Sequence, residues 1–169
     1  MKSHYQQAVS LIELLITLLL VAVLTTIAQP NFSDWVERRR IETLRDQVQA
    51  QLYHARTSSV LHHRDVEACG SSDGLNCDER WGLGWLLHFP DTHELISQQR
   101  LSTYDRLRWT GVTKRIRFHD NGTAPMSNGR FYFCDQNDKV ALQIVLNRQG
   151  RLRRVTGLES GQNPNLGCR

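Results

Sequence analysis

The sequence predicts an α+β fold: one long N-terminal helix, membrane-spanning in its first half and amphipathic in its second, packed on an antiparallel β-rich C-terminal domain. Three observations carry that expectation. An apolar run from Val9 to Ala28 is broken only by Ser10, Glu13, Thr17, Thr25 and Thr26. Further on, Ile41, Leu44, Val48, Leu52, Ala55 and Ser59 recur every three or four residues, the period of one helix face. From Ala68 the apolar stretches become short and are separated by Gly, Asn and Asp, the grammar of strands and turns.

Each element follows from local chemistry. A chain of 169 residues holds one domain with a core and an appendage. The apolar run, at about 20 residues and about 1.5 Å of rise each, matches a hydrocarbon core of about 30 Å. A secretory signal would have a shorter apolar region and a small-residue cleavage site, so this segment is expected to be retained. Pro30 removes a backbone donor and crowds the preceding turn, which predicts a kink or local melting near Ala28 to Pro30. Beyond it, Arg38, Arg39, Glu42, Arg45, Asp46 and Gln49 lie largely off the apolar stripe, so the amphipathic half is expected to dock on a sheet. Strands are expected at 84–89, 107–109, 116–118, 131–134, 140–146 and 152–156.

Charge is unevenly distributed. Residues 1–105 carry 9 Lys and Arg against 13 Asp and Glu, and residues 106–169 carry 12 against 4, which points to an anionic partner for the distal part. Cys69, Cys77, Cys134 and Cys168 lack the paired spacing of a zinc site, and with a membrane segment ahead of them they read as disulfides outside the cytoplasm. Three pairings are formally possible.

Several residues invite a catalytic or metal reading and do not support one. His62, His63, His88 and His93 have no metal-ligand spacing and are expected at the surface. Ser71, Ser72, Asp73 and Gly74 lack a nucleophile elbow and read as a surface loop between two cysteines. Trp81 and Trp85, flanking glycines at a strand entry, are expected to pack under the helix. No catalytic residue, metal or cofactor is expected.

Glu13 is the anomaly of the apolar run, because a lone carboxylate at bilayer depth costs roughly 2.5 to 3.5 kcal/mol. The segment Ala8-Val9-Ser10-Leu11-Ile12-Glu13-Leu14-Leu15 resembles the class III signal of type IV prepilins, with Ala8 and Val9 where that family prefers glycine and phenylalanine. The resemblance implies prepilin-peptidase cleavage between Ala8 and Val9, methylation of the new amine, and pairing of that amine with Glu13 of a neighbouring subunit. The implied division is a leader at 1–8, a transmembrane and assembly helix at 9–29, its amphipathic continuation at 30–62 and a β-rich domain at 63–169. The implied location is the bacterial inner membrane, with the C-terminal domain in the periplasm, and then a pilus.

Later residues resemble the FimT/GspH group of minor pilins. The carrying features are the Cys69 to Cys77 loop running into Trp81-Gly82-Leu83-Gly84-Trp85 and Phe89, then Ile116-Arg117-Phe118 with Gly122, then Phe133-Cys134. Near the end, Val140 to Thr156 reads as a hairpin turning at Asn147 to Gly150. Gly150-Arg151-Leu152-Arg153 resembles the Gly-Arg-x-Arg motif of FimT proteins that bind DNA in natural transformation. Arg148, Gly150, Arg151, Arg153, Arg154 and Arg169 are the expected contacts to double-stranded DNA, without sequence preference and through the phosphate backbone. Other expected partners are major and minor pilin subunits, the prepilin peptidase and, before assembly, the cytoplasmic membrane. The alternative is a GspH-like minor pseudopilin that initiates pilus or type II secretion assembly and binds no DNA.

Overall fold

The computed structural model describes residues 10–103, 105–163 and 168, with residues 27–31 described by their backbone alone. Helix α1 (Leu11–His62) is followed by eight strands: β1 (Val66–Gly70), β2 (Gly84–His88), β3 (Leu95–Arg100), β4 (Leu107–Gly111), β5 (Ile116–Phe118), β6 (Gly129–Cys134), β7 (Val140–Leu146) and β8 (Leu152–Thr156). They form two antiparallel four-stranded sheets, ordered β3-β2-β1-β5 and β4-β6-β7-β8. By contacts the chain divides into two units, 1–39 and 40–169.

In the first unit, α1 exposes its apolar side chains among the described residues. Leu11, Leu15, Leu19 and Leu24 are each more than half exposed, and Glu13 is exposed among them. Thr17, Thr25 and Thr26 return their hydroxyls to carbonyls three residues back, which satisfies them without water. The local melting expected near Ala28 to Pro30 does not occur, and the backbone is helical from Leu11 to His62. Proline deletes one donor of the ladder, and the flanking bonds carry the helix through. Among the described residues no helix is long and apolar enough to cross a membrane. Val9 and the side chains of Ile27 and Ala28, which the expected span includes, lie outside them.

In the second unit, the stripe Ile41, Leu44, Val48, Leu52 and Ala55 is buried, and it joins one core with residues of both sheets. Val66, Ala68, Leu87, Ile116 and Phe118 come from the first sheet, and Phe131, Phe133, Ile144 and Leu146 from the second. Trp81 and Trp85 are 5% and 2% exposed and line a small void with Val48 and Leu52 of α1. α1 ends where His63 takes a positive φ of 49° and the amides of His63 and Arg64 bond back to Val60 and Ser59, a Schellman closure with histidine at the left-handed position.

Two strands lay outside the sequence expectation. β1, Val-Glu-Ala-Cys-Gly, is buried at every position, so no alternation marks it. β3, Leu-Ile-Ser-Gln-Gln-Arg, is a largely exposed edge and reads as loop. Two side chains are corrected. Ser71, expected in a surface loop, is buried, where its hydroxyl accepts from the Gly74 amide at 2.9 Å. His88, expected at the surface, is 8% exposed, because β2 is central and covered on both faces. Disulfides join Cys69 to Cys77 and Cys134 to Cys168, with Cα separations of 5.6 and 5.9 Å.

Candidate nucleic-acid interface

The β7–β8 hairpin places the C-terminal arginines. Leu146 pairs with Leu152 and Ile144 with Arg154, and the tight turn between them is closed by its own backbone. The Asn147 amide donates to the Arg151 carbonyl at 3.1 Å, the Gly150 amide to the Asn147 carbonyl at 3.0 Å, and the Arg151 amide to Asn147 Oδ1 at 2.8 Å. Gly150 has φ +71° and is buried, and a Cβ there would collide with the Gly122 carbonyl oxygen. Two turns therefore stack glycine on glycine. A further bond, from the Ala124 amide to the Arg148 carbonyl at 2.9 Å, fixes the hairpin end against the 119–124 turn. Arg148 and Arg151 are left exposed, and among the described residues neither side chain has a hydrogen-bond or ion-pair partner.

Strand alternation sends the next two arginines to opposite faces. On the outer face, Arg153 Nη1 lies 2.7 Å from Glu159 Oε1, and Arg130 Nη1 lies 2.5 Å from Glu159 Oε2. The two guanidiniums hold the Glu159 carboxyl at a pKa of about 2, Arg153 contributing most. On the inner face, Arg154 bonds Gln49 Oε1 and lies 3.3 Å from Asp46 Oδ1, both on α1. Both side chains remain more than half exposed. Exposed ion pairs are worth only about 0 to 1 kcal/mol, so a phosphate can replace either carboxylate.

With this geometry in place, the comparisons with known proteins decide the family. The model of a family described as type II transport protein GspH matches residues 45–150, more than half of the chain. The chain belongs to the GspH family. A prokaryotic N-terminal methylation motif matches residues 3–29, the N-terminus of membrane-anchored pilus proteins. Two crystal structures of the type IV minor pilin FimU of Pseudomonas aeruginosa strain PAO1 superpose on this GspH-family chain, with TM-scores of 0.59 and 0.57. Identities are 17% and 19%, and the matches cover 80% and 76% of this chain and 99% of each FimU chain. At such identity the likeness shows the fold, that of a type IV pilin. No curated protein matches the chain. Family, motif and fold make this a minor type IV pilin or pseudopilin, a pilin-like structural protein.

The remaining expected site residues fall at the two ends of this GspH-family chain. Ala8, Val9 and Arg169 lie outside the described residues, and Glu13 sits in the first turn of α1. One basic residue was missed by the sequence reading. Arg56 of α1 runs beneath both stacked turns: a Cβ at Gly122 or Gly150 would lie 3.2 or 3.4 Å from its Nε. Its only signal in the sequence is its place beside Ala55, at the margin of the buried stripe. Its stem packs on the Gly122 turn, and its guanidinium brings a further cation to the Gly150 end of the hairpin.

Proposed function

We propose that this minor pilin binds double-stranded DNA without sequence preference through the end of the β7–β8 hairpin, as a step in DNA uptake. The carrying observation is the fixed turn from Asn147 to Arg151, which holds Arg148 and Arg151 exposed and without side-chain partners among the described residues. Arginine keeps its charge at any working pH and forks onto phosphate oxygens. A turn pinned at both ends brings those forks to a phosphate backbone with little ordering left to do. Arg153 joins by exchanging Glu159 for phosphate, and Arg56 supports the turn from below. Before assembly, cleavage ahead of Val9 removes the leader 1–8 in this reading, and the freed amine pairs with Glu13 of a neighbouring subunit.

The test is a titration of fluorescent duplex DNA with the full-length chain in detergent. Two phosphate contacts predict about a tenfold loss of affinity between 50 and 200 mM salt. Replacing Arg148 and Arg151 by Gln should lower affinity at least tenfold at 50 mM salt with unchanged thermal melting. Equal affinity of the double variant would defeat the proposal.

A second reading has its own observation. Arg153 and Arg154 both pair within the chain, and Arg154 ties β8 to α1, as a purely structural pseudopilin would require. It predicts no DNA binding by the native chain and a pilus or type II secretion assembly defect on deletion.

A further inference from the structure

The outer face of the first sheet carries a buried carboxylate with two arginines on it. Glu67 in β1 stands opposite His88 in β2 and Arg117 in β5, and directly opposed residues share a face. Its neighbours Val66 and Ala68 point the other way, into the core. Glu67 is 4% exposed, and a buried carboxylate persists as a charge only when it is paired. Arg115 Nη1 meets Oε1 at 3.1 Å and Arg117 Nη2 meets Oε2 at 2.8 Å. One carboxylate oxygen thus orients each guanidinium, while both arginine side chains stay 49% exposed.

Each guanidinium has five donors, and among the described residues the Arg115 and Arg117 side chains bond Glu67 alone. Both arginines line a cleft of about 520 Å³, with Lys114, His119 and Met126 around it. The Met126 side chain is 64% exposed and gives the cleft an apolar rim. A pair of oriented arginines beside an apolar lip is the arrangement that recognises a carboxylate on a protein surface.

We infer that this cleft is a docking site for an aspartate or glutamate side chain presented by a protein partner, held by Arg115 and Arg117. Charge decides against a nucleic acid at the same place. The lining holds Lys114, Arg115 and Arg117 against Glu67 and Glu79, a surplus of one positive charge, which one carboxylate balances. A duplex brings one negative charge per about 1.7 Å, and the two resident acids would repel the excess. The cleft uses none of the hairpin arginines, so it stands or falls independently of DNA binding.

The experiment follows the arginine Nε–Hε NMR signals of the full-length chain in detergent micelles at low salt. The probe is a short capped peptide with one glutamate among alanine and leucine, compared with the same peptide carrying glutamine. Saturable shifts of the Arg115 and Arg117 signals, at least tenfold tighter for the glutamate peptide and unchanged in R148Q/R151Q, are expected. Removing the arginines alone would leave Glu67 buried without a partner, so the loss-of-site variant is E67Q/R115Q/R117Q. It should keep its fold and bind the glutamate peptide at least tenfold more weakly. Equal binding of the two peptides, undiminished binding by the triple variant, or the same shifts produced by duplex DNA would overturn the assignment.

Discussion

Single residues decide whether the hairpin end is a site. Gly150 combines a positive φ with a buried approach to the Gly122 carbonyl, and either feature alone opposes a side chain. Gly150→Ala is expected to cost about 2 kcal/mol, read as a lower denaturant midpoint, and to weaken DNA binding as the turn shifts. Glu159 acts in the opposite sense, because it occupies Arg153 and Arg130. Glu159→Gln should strengthen DNA binding severalfold at low salt. Its carboxyl, at about 2 when folded, is held below its ordinary value of 4.5 by Arg153 and Arg130. A depressed carboxyl adds stability above the unfolded value and loses it as pH falls through the folded one. The contribution of Glu159 is therefore complete above about pH 4.5 and fades toward pH 2. Denaturation series in that window should show a shallower acid-side decline for Glu159→Gln than for the native chain.

At the scale of elements, the tail beyond the second sheet is held by side-chain hydrogen bonds and a disulfide. β8 is an edge strand, and the tail beyond it is fastened by the buried Gln143, which bonds the Gly157 carbonyl at 2.5 Å and Gln162 at 2.9 Å. The Cys134–Cys168 bond then closes a loop with a sequence separation of 34. In the chain-entropy account a loop of that length contributes about 4 kcal/mol. Cys134→Ser with Cys168→Ser should lower unfolding stability by about that amount, measured by urea titration. The Cys69–Cys77 pair closes a much shorter loop, with a separation of 8, and its removal should cost less.

For the whole molecule, the two units have opposite solvent requirements. Residues 40–169 contain every residue of the buried core, so that fragment should be soluble and melt cooperatively without detergent, as checked by calorimetry. The helical unit exposes Leu11, Leu15, Leu19 and Leu24, an apolar surface that must be covered by lipid or by other subunits. Full-length chain should therefore remain monodisperse only in detergent, as size-exclusion chromatography would show. The GspH-family assignment and the N-terminal methylation motif agree with a membrane-anchored pilus protein.

By itself the sequence determined α1 from its apolar run and its three- to four-residue stripe, and six of the strands from short apolar stretches set off by Gly, Asn and Asp. That reading missed β1 and β3 because neither is a clean apolar stretch: Glu67 interrupts β1, and Ser97, Gln98, Gln99 and Arg100 make most of β3 polar. Local sequence also located the arginine hairpin, since Asn147 and Gly150 are residues a tight turn demands. Only the tertiary structure decided which hairpin arginines are left without partners among the described residues, because pairing depends on Asp46, Gln49 and Glu159, and two of these lie about a hundred positions away. The same holds for Arg56 beneath the two glycine turns and for Glu67 beneath Arg115 and Arg117. Those contacts join distant segments, and no local pattern encodes a distance across the fold.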